Sequence, residues 1–540
     1  MLRNITKLQQ KCKKLFCVAC NFRERCPFSP CPQSDSLACM PSRREFLYSA
    51  AALTAARASA ETPSIEEASL TDLQAGLTAG RFTSVALVEQ YSARIVDIDK
   101  NINSIIEMNP DAPAIAAALD RERKGKGPRS PLHGIPILIK DNIDTADKMM
   151  TTAGSLALAG PPAPSDAALV TRLRDAGAVL LGKTNLSEWA NYRSSHSTSG
   201  WSGRGGQTRN PYVLDRNPSG SSSGSAAAVA ASLCAAAVGT ETDGSVVSPS
   251  SMCGIVGIKP TIGLIPGAGI VPISHRQDTA GPMARTVTDA ALLLGALAGA
   301  SYGRALDPNG LKGARIGVAR QLFGFNDAVD KMMIDALGVL TKLGAELIDP
   351  VNIPTFSKLA DMENEAMSYE FKNDLNAYLA ARGAPMRTLA DLISFNEKNR
   401  AREMPYFDQD LFIKAEARGP LSTKPYRDLE TKLNHAAKQD GIDRVMIDKK
   451  LDALVAPTDA PAWPIDYILG DHSLSTASTP AAIAGYPHVT VPAFQISGLP
   501  VGLSFFGSPR TEIKLIRYAY AFEQATNARK PPQYLPTVRS

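Results

Sequence analysis

Long apolar runs, histidine and, beyond the first forty residues, cysteine are what this 540-residue chain is short of. It has no run of 18 apolar residues, so no bilayer-spanning helix is expected. Six of the eight cysteines (Cys12, Cys17, Cys20, Cys26, Cys31 and Cys39) precede Met40, which leaves Cys234 and Cys253 in the body. Both lie among small apolar residues and read as packing groups. Cys17 and Cys20 have a spacing that can open a zinc site, but no second such pair and no histidine pair follows, so no metal centre is expected. The six histidines (His133, His196, His275, His435, His472 and His488) stand in no context that suggests a Ser–His–Asp arrangement. Charge of one sign is scarce too. Residues 1–60 hold ten Lys/Arg against three Asp/Glu, and the rest of the chain holds 48 against 50. A body this close to neutral gives no electrostatic footprint for a nucleic-acid partner. No internal repeat is visible.

The basic N-terminal segment has its own pattern. Met40 is followed by Ser42-Arg43-Arg44-Glu45-Phe46-Leu47, then the alanine-rich stretch Tyr48 to Ala56, then Ala58-Ser59-Ala60. Twin arginines, a short weakly apolar segment and an A-x-A site resemble a twin-arginine signal peptide, which exports folded proteins. Residues 1–39 then read as a Cys-rich extension upstream of the true start, and 40–60 as the signal. Cleavage is expected near Ala60, with a mature chain from about Glu61 in the periplasm or secreted. The export machinery would be a partner only during transport.

From Glu61 onward, helical and strand patterns alternate. Ser69-x-x-Asp72 and Thr286-x-x-Asp289 are helix-start signals. Thr83–Ile98, Asp166–Ala176 and Glu512–Asn527 have helical spacing. Ile135–Ile139, Ala178–Leu181, Ile255–Ile258, Ile316–Ala319, Asp452–Ala456, Val489–Phe494 and Val501–Phe506 read as strands. This predicts an α/β fold whose helices cover a largely buried sheet. Residues 355–445 differ: they are charged, helical in pattern and poor in strand signals. They read as a helical insertion over one side of a single 61–540 domain.

The most unusual stretch runs from Asn217 to Gly254. Seven serines and glycines, Ser219 to Ser225, lead into alanines, and Asp243-Gly244-Ser245 makes a second small-residue turn further on. Such residues allow close approach of backbone to a substrate. The run Ser225–Ala237 is apolar almost all round and predicts one buried helix. Serine-bearing turns at both ends of a buried element suit nucleophilic catalysis better than a flexible linker. Two pattern matches nearby are discounted. Gly177-x4-Gly182-Lys183-Thr184 fits a phosphate loop, but Ala-Val-Leu-Leu fills the loop's place with a strand. Lys183 is assigned a structural role. Gly220-x-Ser222-x-Gly224 fits a nucleophile elbow, but a loop, not a strand, precedes it.

Four segments together carry a resemblance: Gly134-Ile-Pro-Ile-Leu-Ile-Lys140-Asp-Asn142, Gly220-Ser-Ser-Ser-Gly224-Ser-Ala-Ala-Ala228, Gly239-Thr-Glu-Thr-Asp-Gly-Ser245 and Gly257-Ile-Lys-Pro-Thr261. In order and spacing they resemble the amidase signature family over most of residues 65–535. Gln277–Arg285 and Gly498–Gly502 make the chain most similar to its bacterial peptide amidases. The resemblance implies one large α/β domain, its mixed central sheet covered by helices on both faces. It implies a serine hydrolase of carboxamide C–N bonds, acting on peptide C-terminal amides or small amides without cofactor or metal. It assigns Ser245 as nucleophile, Ser221 as bridging serine after a cis peptide bond, and Lys140 as base. The backbone N–H groups of Thr242, Asp243, Gly244 and Ser245 would form the oxyanion hole. A lysine can act as base only when neutral, which burial favours. The family also contains amidotransferase components that supply ammonia to a tRNA-bound acid. The export signal and neutral body argue against that alternative, and the intact Lys140, Ser221 and Ser245 argue against a non-catalytic binding protein. Val247 stands where many members carry arginine, and Ser219 and Ser223 where many carry glycine.

Overall fold

The computed structural model describes residues 64–383 and 385–538. The Cys-rich stretch 1–39 and the twin-arginine segment 40–60 lie outside the described residues. In chain order the strands are β1 (Ile105–Met108), β2 (Pro136–Lys140), β3 (Val179–Thr184), β4 (Trp201–Ser202), β5 (Gly206–Gln207), β6 (Ala236–Glu241) and β7 (Val256–Lys259). They continue with β8 (Thr279–Ala284), β9 (Arg315–Ala319), β10 (Glu346–Val351), β11 (Ala453–Pro457), β12 (His488–Ile496) and β13 (Leu499–Phe506). Eleven of them form one sheet in the order β1-β3-β2-β6-β8-β7-β12-β13-β11-β9-β10, while β4 and β5 pair apart. The sheet is mixed. β2 runs parallel to β3 and β6, and β9 parallel to β10 and β11. From β6 through β8, β7, β12 and β13 to β11 every pairing is antiparallel.

Strands β2, β3, β6, β7, β8, β11 and β13 are buried at every residue. That burial on both faces is why most of them read as unbroken apolar or small-residue runs rather than alternating ones. Helices Ser223–Ala230, Val247–Met252, Val287–Ala298 and Glu512–Thr526 pack on the sheet. Ser69 and Thr286 cap their helices by accepting from the Asp72 and Asp289 N–H groups at 3.0 and 3.1 Å. Among the described residues no helix is long and apolar enough to cross a membrane.

The alanine-rich run departs from the sequence reading. Its helix spans only Ser223–Ala230; the chain turns at Ser232, with φ of 55°, and Ala236–Glu241 is strand β6 between β2 and β8. Alanine favours helix and carries no strand periodicity, so the sequence alone points the wrong way. Crowding in the sheet decides it: a Cβ added at Gly239 would stand 2.7 Å from both Met283 Sδ and Ser222 Oγ. The expected helix Thr83–Ile98 is α-helical to Arg94 and then widens into a π-turn, Ile95–Asp99. Between residues 355 and 445 the structure holds helices Phe356–Arg382, Leu389–Lys398, Arg400–Glu403, Asp410–Glu416 and Lys424–Ala437.

Candidate active site

Strand β2 ends on Lys140, whose side chain is sealed inside the sandwich. Parallel pairing of β2 with β6 sets Thr240 beside it. Lys140 Nζ donates to Ser221 Oγ at 2.8 Å, to Thr240 Oγ1 at 2.9 Å and to the Thr240 carbonyl at 3.3 Å. Asn142 Nδ2 donates to the same Thr240 hydroxyl at 2.9 Å. None of these partners is a carboxylate. Burial pushes the lysine down to about 7, while the more distant Asp278 and Glu241 pull in the opposite direction. The amine is therefore poised between its two protonation states near neutral pH.

Ser221 sits at the entry to the helix Ser223–Ala230, and the Gly220–Ser221 peptide is cis. Glycine is needed at 220 because a Cβ there would strike Ser187 Oγ. The next residue joins the two serine-bearing segments: the Ser222 N–H donates to the Ser245 carbonyl at 3.1 Å. Ser245 is 8% exposed and lines a cavity of about 600 Å³ together with Gly220, Thr242 and Asp243. Among the described residues no hydrogen bond joins Ser245 Oγ to Ser221 Oγ; the direct link runs from Lys140 to Ser221.

The turn before Ser245 is held from outside rather than by its own amides. Val246 and Val247 N–H both donate to Glu241 Oε2, at 2.8 and 3.0 Å. Thr242 Oγ1 donates to Asp278 Oδ1 at 2.6 Å, and Thr479 Oγ1 to Asp243 Oδ2 at 2.7 Å. Gly244, at φ of 81°, accepts from the Ser248 N–H at 2.8 Å. The N–H groups of Thr242, Asp243, Gly244 and Ser245 donate to no partner within the described residues. Four consecutive unpaired donors beside a buried serine and an open cavity can hold an oxyanion.

The structure thus joins Lys140 directly to Ser221 and sets Thr242, Asp243 and Ser245 along the main cavity, while Gly244 lines a smaller neighbouring one of about 170 Å³. Lys183 lies outside this group: its Nζ donates to the Ile143 carbonyl at 2.6 Å and to Thr151 Oγ1 at 2.9 Å. Residues 179–184 are β3, so the phosphate-loop match contains no loop. Val247 is buried. Sequence reasoning does not single out Thr240, Asn142 or Asp278. The first two lie inside the quoted motifs, so proximity to Lys140 and Ser245 is the available signal. The helical region supplies Asn364, Met367, Leu411 and Lys414 to the cavity, facing Tyr192 and Ile273. Among the described residues no group of His, Cys, Asp or Glu is disposed to hold a metal ion.

A mixed, helix-covered sheet with a buried lysine bonded to a serine-rich turn is the framework of an α/β serine hydrolase. Residues 86–516 match the sequence pattern of the Amidase family, and the chain belongs to that family. Among solved structures it resembles the native peptide amidase from Stenotrophomonas maltophilia: 47% identity, TM-score 0.83, covering 87% of this chain and 99% of that one. Among sequences, a probable amidase of Arabidopsis thaliana is 42% identical over 500 residues, 88% of this chain and 93% of the relative. A component of the glutamyl-tRNA(Gln) amidotransferase of Chloroflexus aurantiacus is more distant, at 35% over 486 residues, 85% of this chain and 96% of the relative.

Proposed function

We propose that this amidase hydrolyses carboxamides through an acyl-enzyme on Ser245, with Ser221 relaying protons to Lys140. Its substrates are peptide C-terminal amides or related small amides. The observation that carries this reading is the buried contact between Lys140 Nζ and Ser221 Oγ, 2.8 Å long. A lysine held to about 7 can take a proton at neutral pH. Ser245 Oγ attacks the amide carbon, and its proton passes through Ser221 to Lys140. The N–H groups of residues 242–245 receive the negative oxygen. Collapse breaks the C–N bond, and the amine leaves with the proton returned through Ser221. Water, activated by the same relay, attacks the ester and releases the acid. The open cavity of about 600 Å³ has room for more than a small amide, and likeness to a peptide amidase supports a short peptide there.

The test is ammonia release from a panel of peptide amides and small amides, with fluorophosphonate labelling of the active serine. Activity and labelling should both vanish in Ser245→Ala. Undiminished ammonia release in that variant would overturn the assignment. The amidotransferase reading gains no support from the site and rests on the more distant likeness. Export by the twin-arginine route is also part of the proposal. It requires an N-terminus near Glu61 on the mature protein, and protein sequencing that found residues before Met40 would contradict it.

A further inference from the structure

The main cavity is unevenly charged. Of the described residues that line it, Asp243 and Asp471 are acidic and Lys414 alone is basic. The two acids stand where this cavity meets the smaller one, which they also line, whereas Lys414 faces the main cavity and not the smaller one. Both acids are served by donors of the protein itself. Asp471 accepts from the Ser199 N–H at 2.9 Å, from the Ser199 hydroxyl, and from Asn217 Nδ2 and Trp463 Nε1 at 3.2 Å each. Asp243 Oδ2 accepts from Thr479 Oγ1 at 2.7 Å.

The lysine is held differently. Its Nζ lies 3.4 Å from Glu365 Oε2, an oxygen that Arg418 binds more closely, at 2.6 Å. The Lys414 side chain is 40% exposed, so its ammonium is open to an incoming group. Its backbone, by contrast, is fixed. Lys414 belongs to helix Asp410–Glu416, which is stitched to the loop 190–197 that walls the same cavity. Asp410 accepts from the Ser195 N–H at 3.0 Å and from Ser195 Oγ at 2.7 Å, and the Leu411 N–H donates to the Arg193 carbonyl at 3.2 Å. Arg193 is fully buried, with Nη1 2.8 Å from Glu188 Oε2 and its guanidinium 4.4 Å from the Phe407 ring centre. A cation with an anchored base and a loosely paired head can take an anion without breaking a strong bond, and only the head has to be ordered.

We propose that Lys414 is a specificity-determining residue that receives a side-chain carboxylate of the substrate. The enzyme then favours peptide amides with a glutamate or aspartate in one of the two residues nearest the amide. The inference rests on the function proposed above and adds the charge of the acyl side. A cavity of about 600 Å³ is roughly 10 Å across, and an extended chain advances about 3.5 Å per residue, so side chains of the last two residues reach its walls. Asp243 and Asp471 act in the same direction. They repel a carboxylate from the end shared with the smaller cavity and leave the Lys414 wall as its place. A half-exposed ion pair is worth up to about fivefold in affinity, and salt weakens it.

The experiment measures kcat/KM for ammonia release from peptide amides of one sequence carrying glutamate, glutamine or lysine at the last or the next-to-last position. Wild type, Lys414→Met and Lys414→Glu are compared at about 50 and 500 mM salt. The readout is the ratio between peptides within each protein, so a general loss of activity cancels. The wild type should favour glutamate over glutamine three- to tenfold at one of the two positions, and the ratio should shrink toward one at high salt. Lys414→Met should bring it within 1.5-fold at both salts. Lys414→Glu should turn the order round, with the lysine peptide at least tenfold above the glutamate peptide. If one variant fails to fold, the other decides together with the salt dependence of the wild type. Equal rates for glutamate and glutamine at both positions in the wild type, or a preference that survives in Lys414→Met, overturns the inference, and the proposed function stands as long as the glutamine peptides are hydrolysed. Ammonia from small amides with no peptide amide hydrolysed would overturn the inference and the peptide reading together.

Discussion

Replacing Asp278 with asparagine tests the base directly. A lysine at its ordinary value of about 10.4 is neutral in fewer than one molecule in a thousand at pH 7. Held to about 7, Lys140 is neutral in half the molecules, a gain of roughly a thousandfold. Turnover should therefore fall about tenfold per pH unit below that midpoint. Asp278 is the foremost of the charges that hold Lys140 up against burial. Its own carboxyl, pushed up to about 6 by burial, is mostly ionised at pH 7. Removing that charge disfavours the ammonium form, so the acid limb of Asp278→Asn should move to lower pH by roughly half a unit to one unit. Asp278 also accepts from Thr242 Oγ1 and from the Ile273 and Ser274 N–H groups, so the plateau rate can drop. The midpoint is independent of that drop. Lys140→Arg supplies the companion measurement. A guanidinium cannot deprotonate, so turnover should fall at least a thousandfold at every pH. Initial rates of ammonia release between about pH 5 and 9 suffice as the assay. A midpoint that stays or rises in Asp278→Asn, or Lys140→Arg within tenfold of wild type, would refute the reasoning.

Three further outcomes follow from the same geometry. Gly244→Ala forces a side chain onto φ of 81° and sets Cβ 3.0 Å from Ser478 Oγ, so kcat should drop roughly 10- to 100-fold with KM nearly unchanged, read from steady-state kinetics. Gly224→Ala drives Cβ into the Ser104 and Asn185 carbonyls and to 2.7 Å from Asn185 N; a loss of about 3 kcal/mol should appear as a lowered denaturation midpoint. Lys183 is pushed down to about 8 by burial, so between that value and the unfolded value near 10.4 the unfolded chain binds more protons. Across that window the wild type should gain stability over Lys183→Met as pH rises, by at most about 1.4 kcal/mol per unit. Parallel denaturation curves with no pH-dependent difference would count against a neutral buried Lys183.

The site was legible where local geometry forces residue choice. Gly220 must clear Ser187, and Gly244 must hold a left-handed turn, so glycines mark both serine segments before any contact is known. Lys140 announces itself as the charged end of an apolar strand. Apolar runs located β2, β3, β7, β9, β11, β12 and β13 to within a few residues, because strands buried on both faces admit little else. The alanine run misled because alanine favours helix, while the crowding by Met283 and Ser222 around Gly239 that calls for small residues in β6 is a tertiary feature. Strands β1, β4, β5, β6, β8 and β10 were missed. β8 reads Thr-Ala-Gly-Pro-Met-Ala, a sequence with little strand propensity that pairing on both sides overrides.

What the sequence could not show is the environment that makes the motif residues reactive. In the proposed mechanism Lys140 can serve as base because of what surrounds it: Thr240 and Ser221 receive its hydrogen bonds, the sheet excludes water, and Asp278 and Glu241 stand near enough to moderate its loss of charge. Asp243 sits inside a recognisable motif, yet the hydrogen bond that holds its carboxylate comes from Thr479, far along the chain. Motif residues are constrained by their immediate backbone, so short-range reading finds them. Their tuning groups are constrained by a meeting of distant segments, with many sequence solutions that supply an equivalent charge or donor. Differences in pH response between this chain and similar amidases should therefore trace to positions such as Asp278 rather than to Lys140, Ser221 or Ser245.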